Sequence, residues 1–204
     1  MPAQHLILDA MGVVFVNEDD LEELLIPYLS KRFDFDKNLL RDLYFNELSL
    51  GKISSDEFFS RLQIPNVEEE YLSTSIRIDD EFLSVAERLT ERFEISMLSN
   101  YVSEWSLFLK EMHNLERYFK NFIVSGDVGC RKPDKEMYEI TLDILHAKAD
   151  DCILVDNFLK NLKPASEIGF KTIFFQRSEQ KTDYTPDFTV KSFKVLTEIL
   201  LQSG

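Results

Sequence analysis

The chain has little cysteine, little basic charge and no long apolar run, and each shortage removes a class of protein. Its two cysteines, Cys130 and Cys152, form neither a CxxC pair nor a framework spacing, which excludes a disulfide scaffold and a structural zinc site. Cys152 opens an apolar, strand-like run and reads as core rather than as a catalytic thiol. No apolar run approaches the length of a membrane span, and Met1-Pro2-Ala3-Gln4-His5 lacks the basic start of a signal peptide. The expectation is a cytoplasmic protein with no membrane partner. Lys and Arg number 23 against 37 Asp and Glu, and the net charge of −14 repels phosphate backbones, so nucleic acid is excluded as a partner. The same charge repels a small anionic substrate unless a cation and local donors offset it. Internal repeats and low-complexity stretches are lacking too.

What is present is a core. Hydrophobic residues make up 44% of 204 residues, 17 of them Phe, which suits one substantial α/β domain with room for a smaller inserted one. The stretch Leu6-Ile7-Leu8-Asp9-Ala10-Met11-Gly12-Val13-Val14-Phe15 organises the rest. Its apolar run does not alternate, as expected of a central parallel strand covered on both faces. Gly12 then lets the backbone turn away sharply. Ligands in open α/β sheets bind at the carboxyl ends of strands, so Asp9 is well placed for chemistry, although a lone Asp there can equally cap a turn.

From about Asp19 to Ser75 apolar residues recur at helical spacing: Leu21, Leu24, Leu25, Tyr28 and Leu29, then Leu39, Leu40, Leu43, Tyr44 and Leu48, then Phe58, Phe59 and Leu62. Three short helices follow from this, with a fourth near Val67 to Ser75. Ser54 or Ser55 is the expected N-cap of the third and Pro65 its stop. After Arg77 strand and helix alternate. Strands are expected at Glu94–Leu98, Phe119–Val124, Cys152–Val155, Lys171–Phe175 and Asp187–Val190. Helices are expected at Glu81–Arg92, Val102–Met112, Asp134–His146, Leu159–Ile168 and Phe193–Leu201. Such units imply a parallel sheet with helices on both faces.

Polar residues gather at the ends of these strands. Ser99 and Asn100 follow one, Asp156 and Asn157 another, and Arg131-Lys132-Pro133 precedes a helix. In a parallel sheet they would share a crevice with Asp9, and each supplies something phosphoryl transfer needs. Asp9 can attack phosphorus to give an acyl phosphate. Asp9 and Asp156 offer hard oxygen ligands to Mg²⁺. Ser99 and Lys132 can bind phosphate oxygens, where charge stabilisation dominates catalysis. Singly these residues have ordinary readings as a cap, a solvated charge or a turn; the four in this order are harder to explain so.

The order DxxGVV, LSN, GCRKPDKEMYE, VDNFLKN resembles the four motifs of the haloacid dehalogenase superfamily over nearly the whole chain. Gly129 before Arg131-Lys132-Pro133 and the run Asn161-Leu162-Lys163-Pro164-Ala165 are similar to the branch of sugar-phosphate phosphatases and the phosphatase domain of soluble epoxide hydrolases. The resemblance implies a Rossmann-like, doubly wound parallel-sheet core over residues 1–16 and 78–204, with an inserted small helical cap domain over 17–77 that closes over Asp9. It implies Asp9 as nucleophile, Ser99, Asn100 and Lys132 on phosphate, and Mg²⁺ between Asp9, the Met11 carbonyl and Asp156, with Asn157 and Asn161 behind. A small phosphorylated metabolite is the implied substrate of a monomer or homodimer.

One position departs from that pattern. Two residues after the nucleophile most relatives carry an Asp that protonates the leaving group and later activates water, and here it is Met11, whose thioether does neither. Three readings stand: a Mg²⁺-dependent phosphatase, a hydrolase of another bond such as a dehalogenase, and a catalytically silent phosphate- or partner-binding protein.

Overall fold

The computed structural model describes residues 4–202; residues 1–3, part of the signal-peptide reading, and 203–204 lie outside the described residues. Six strands, β1 (His5–Leu8), β2 (Glu94–Ser99), β3 (Asn121–Val124), β4 (Cys152–Asp156), β5 (Lys171–Phe175) and β6 (Phe188–Val190), form one sheet. All pair in parallel, in the order β3-β2-β1-β4-β5-β6. The central strands have no solvent face. Leu6 and Leu8 of β1 enter one apolar cluster and Ile7 the opposite one, and Val155 and Leu154 of β4 divide the same way. That is why the sequence shows unbroken apolar runs instead of alternation.

Helices α8 (Lys135–Leu145) and α9 (Leu159–Ile168) cover one face through Met137, Tyr138, Leu162 and Ala165. Helices α5 (Asp80–Thr90), α6 (Ser103–Met112) and α10 (Phe193–Gln202) cover the other through Phe82, Trp105, Leu109 and Phe193. The architecture is the doubly wound α/β fold expected. The sheet is joined by α7 (Ser125–Val128), a single turn after β3 that the sequence pattern did not reveal. β3 begins two residues later than expected, because Leu115–Arg117 forms a 3₁₀ turn just before it. Both cysteines are buried, and burial pushes the Cys152 thiol up to about 12, which agrees with its reading as core. Among the described residues no helix is long and apolar enough to cross a membrane.

Between β1 and α5 the chain is helical. A π-helical turn (Leu21–Leu25) runs into α1 (Ile26–Ser30), followed by α2 (Lys37–Asn46), α3 (Ser55–Arg61) and α4 (Glu68–Ser75). Ser54 caps α3, its hydroxyl accepting from Glu57 N at 3.2 Å, while the Ser55 hydroxyl accepts from Trp105 Nε1 at 2.9 Å. The helix stops at Arg61, short of Pro65, because Gln63 turns the chain with φ at 58°.

These helices share one apolar cluster with the sheet's upper face, with no seam between them. Trp105 of α6 is wholly buried, its ring within 6.4 Å of Tyr44, Phe58, Tyr71 and Tyr101. Backbone meets backbone as well. A Cβ on Gly51, whose φ is +67°, would lie 2.0 Å from the Gly126 carbonyl oxygen, so only glycine fits.

Candidate active site

β1 and β4 are neighbours with Leu8 opposite Val155, so the next residues, Asp9 and Asp156, lie side by side at the carboxyl ends of the two strands. This is the point where the strand order reverses, and side chains there face an open crevice instead of another crossover helix. The Asp9 amide still donates to the Val155 carbonyl at 2.9 Å, which fixes the carboxylate at the strand's end.

Lys132 reaches the crevice from the loop before α8. Its ammonium donates to Asp9 Oδ1 at 2.8 Å, Asp156 Oδ2 at 2.7 Å and the Leu98 carbonyl at 2.8 Å, using all three of its protons. Asn100 ties down the Lys132 backbone at two points: its Oδ1 accepts from Lys132 N and its Nδ2 donates to Lys132 O, both at 2.8 Å. Asp156 is wholly buried; it accepts from Phe158 N at 2.7 Å and from Asn161 Nδ2 at 3.1 and 3.0 Å. Tyr138 in turn donates to the Asn161 carbonyl at 2.6 Å.

One buried cation between two buried carboxylates leaves the site a charge short. Burial pushes Asp9 up to about 7, and the neighbouring Asp156 adds to this while Lys132 opposes it. Burial also disfavours a charged Lys132, yet Asp156 and Asp9 together hold it above its ordinary value.

A second cation would fit on the other side of Asp9. The side-chain amide of Asn157 lies 3.0 Å from Asp9 Oδ2 and 3.1 Å from the Met11 carbonyl oxygen. Turned one way, the amide nitrogen donates to both; turned the other, its oxygen joins theirs. Octahedral Mg²⁺, with ligands at 2.0–2.1 Å, sets adjacent oxygens about 3 Å apart, and the two spacings from the amide to Asp9 and to Met11 suit it. Gly12 makes room for the amide. Its φ is +80°, and a Cβ there would lie 2.2 Å from Asn157 Nδ2. The expected metal set named Asp156 in this place; the structure puts Lys132 between Asp9 and Asp156, and Asn157 faces Asp9 and Met11 instead. Among the described residues no group of three or more His, Cys, Asp or Glu is poised to hold a metal.

Around these residues lies a cleft of about 170 Å³, small against the roughly 300–1,000 Å³ of drug-sized pockets. Ser99 and Asn100, expected to meet phosphate, line it beside Asp9, Met11 and Lys132. Asn161 lines it too. The far wall comes from the helical insertion, chiefly Asp20, Tyr44 and Phe45, which the sequence pattern did not single out. Asp20 closes an acidic run, Glu18-Asp19-Asp20, ahead of a helix, where acidic residues are ordinary. Arg131, next to Lys132, bonds the Phe45 carbonyl and donates to Ser49 Oγ at 2.9 Å, so one loop serves both the crevice and its wall. Arg177 holds the turn after β1, donating to the Gly12 carbonyl at 2.9 Å and to Asp79. Arg131 lies inside the Arg131-Lys132-Pro133 run already noted, but no local signal marks Arg177.

Residues 8–169 match the family of haloacid dehalogenase-like hydrolases. The chain is 25% identical over 160 residues to the D-ribitol-5-phosphate phosphatase of Bacteroides thetaiotaomicron, which covers 72% of this chain and 76% of that enzyme. It is 40% identical over 62 residues to bifunctional epoxide hydrolase 2 of Rattus norvegicus; the match takes in 30% of this chain and only 11% of that longer protein. Among solved structures, a mutant HAD family enzyme from B. thetaiotaomicron in complex with magnesium and inorganic phosphate superposes with a TM-score of 0.72 at 20% identity. It covers 88% of this chain and 97% of its own.

Proposed function

The chain belongs to the haloacid dehalogenase-like hydrolases, and from that premise we propose that it is a Mg²⁺-dependent phosphatase of small phosphorylated metabolites. The observation that carries this reading is the buried Asp9–Lys132–Asp156 triangle at the carboxyl ends of β1 and β4. It pairs a nucleophile with a cation that can pass from Asp9 to an incoming phosphoryl group. The phosphatase relatives, one acting on ribitol 5-phosphate, favour a small polyol or sugar phosphate, and the cleft's volume agrees.

In this mechanism an Asp9 oxygen attacks phosphorus and the ester oxygen leaves, giving an aspartyl phosphate that water then cleaves. Lys132, Ser99 and Asn100 hold the phosphoryl oxygens. Asp156 keeps Lys132 aimed at the crevice, and Asn161 and Phe158 N keep Asp156 in place. Asp9, the Met11 carbonyl and the Asn157 oxygen would hold Mg²⁺, which when bound supplies positive charge beside the phosphate in an otherwise acidic crevice. Residues 17–77 act as the cap domain over a core of 1–16 and 78–204, keeping bulk water from the phospho-enzyme. The protein works in the cytoplasm as a monomer or homodimer.

Hydrolysis of an aryl phosphate with Mg²⁺ and with excess chelator tests the reading. Turnover should require the metal, and Asp9→Asn should lower it by at least about a thousandfold while phosphate still binds. Full activity in chelator would remove the metal, and an active Asp9→Asn would remove the nucleophile.

A further inference from the structure

Asp20 is a buried carboxyl on the cleft wall that the mechanism above leaves idle. It precedes the π-helical turn but makes no capping hydrogen bond to it. Its oxygens accept from the Tyr44 hydroxyl at 3.2 and 3.4 Å, Tyr71 donates to its backbone carbonyl at 3.3 Å, and the buried Tyr101 hydroxyl lies near the carboxyl without a hydrogen-bond partner of its own. One phenol, from α2, thus bonds the acid itself, one from α4 bonds its backbone, and one just after β2 stands close by. Its acidic neighbours are engaged elsewhere: Asp19 Oδ1 accepts from Glu22 N, and Glu18 from the Ser178 hydroxyl. Asp20 is 6% exposed, and the little surface it shows lines the same cleft as Asp9, Met11 and Lys132.

On the phosphatase reading given above, we propose that Asp20 supplies from the helical insertion the proton transfer that Met11 cannot. As Asp9 attacks and the phosphorus–oxygen bond to the leaving group breaks, the Asp20 carboxyl gives its proton to the departing oxygen, releasing the alcohol. The Asp20 carboxylate that remains is held by the Tyr44 hydroxyl. In the second half, water attacks the aspartyl phosphate, its proton passes to Asp20, and Asp9 leaves as carboxylate. One water is consumed, alcohol and phosphate are released, and both aspartates return to their starting state.

The surroundings suit that task. Burial, with the charge of Asp19, pushes Asp20 up to about 7 against the hydrogen bond of Tyr44, so the carboxyl can both hold and release a proton near neutral pH. The phenols of Tyr44 and Tyr101 are themselves held well above their ordinary range, by burial first and by Asp20 next, and remain donors.

The test is kcat/KM against leaving-group pKa for a series of aryl and alkyl phosphates, in the wild type and in Asp20→Asn, with phospho-Asp9 trapped in both. The wild type should show a shallow dependence. Asp20→Asn should show a steep one, its alkyl phosphates losing about a hundredfold to ten-thousandfold. The basic limb of the alkyl-phosphate pH profile should vanish in the variant. Equal slopes in two proteins that both form phospho-Asp9 would overturn this inference and leave the phosphatase reading intact. A steep dependence in the wild type alone would overturn it without any variant. Absence of phospho-Asp9 in the wild type would overturn both.

Discussion

Asn157 has the most consequential neighbours of any neutral side chain in this protein. Its amide faces Asp9 Oδ2 and the Met11 carbonyl oxygen, and it can satisfy them either as a hydrogen-bond donor or, turned over, as a fellow ligand. A neutral amide attracts a divalent cation less than a carboxylate does. Asn157→Asp should therefore tighten Mg²⁺ binding by about tenfold or more, about 1.4 kcal/mol. Calorimetric titration of the metal measures this directly, and an unchanged affinity would mean that residue 157 does not touch the ion. Met11 and Asp20 belong to the same comparison. A thioether stands where the family resemblance implies a carboxyl, and a carboxyl bonded by Tyr44 stands on the facing wall, in a cleft that both residues line.

Helix α6 is what joins the insertion to the sheet. It lies after β2, yet its Trp105 sits among rings from α2, α3 and the end of β2 and donates to Ser55, and its Glu104 accepts from Ser55 N at 2.7 Å. Removing that indole leaves a cavity bordered by both parts of the chain and an unpaired Ser55 hydroxyl. Trp105→Ala should cost about 3–5 kcal/mol in denaturant unfolding. It should also loosen Tyr44 and Tyr101 around Asp20, raising the KM for substrate more than aryl-phosphate kcat falls. A loss below about 1 kcal/mol would show that the insertion does not depend on this contact. The close backbone approach at Gly51 and Gly126 and the reach of Arg131 to Phe45 and Ser49 hold the same boundary.

For the protein as a whole, buried carboxyls set a pH dependence of stability. Asp20 in the folded chain is raised to about 7 from its ordinary 3.8, so the fold retains a proton that the unfolded chain gives up. Its contribution is fully present below about pH 4 and is lost as pH rises through about 7. Asp9, raised to a similar value, acts in the same direction when no metal is bound. Asp20→Asn cannot ionise, so the Tm difference between variant and wild type should grow from near zero at pH 4 to on the order of 10 °C in the variant's favour at pH 8. Melting curves across that range check it. A constant difference would mean that Asp20 is already ionised in the fold at acid pH.

The order and kind of nearly every strand and helix were legible in the chain, because covered strands demand unbroken apolar runs and surface helices demand a stripe, and both are local periodicities. The meeting of Asp9, Ser99 and Asp156 was legible for a related reason: residues at carboxyl ends of parallel strands must converge, and Lys132 joins them from the loop before α8. Which side chain faces which was not. Asn157 opposite Asp9 depends on how one turn is twisted past Gly12, a matter of angstroms that no spacing encodes. Asp20 looked like an ordinary acidic residue at a helix start, because its neighbours Tyr44, Tyr71 and Tyr101 lie 24 to 81 positions away and meet it only once the insertion has packed against α6. Contacts of that separation are decided by the packing of the whole apolar cluster, and so only the tertiary structure holds them.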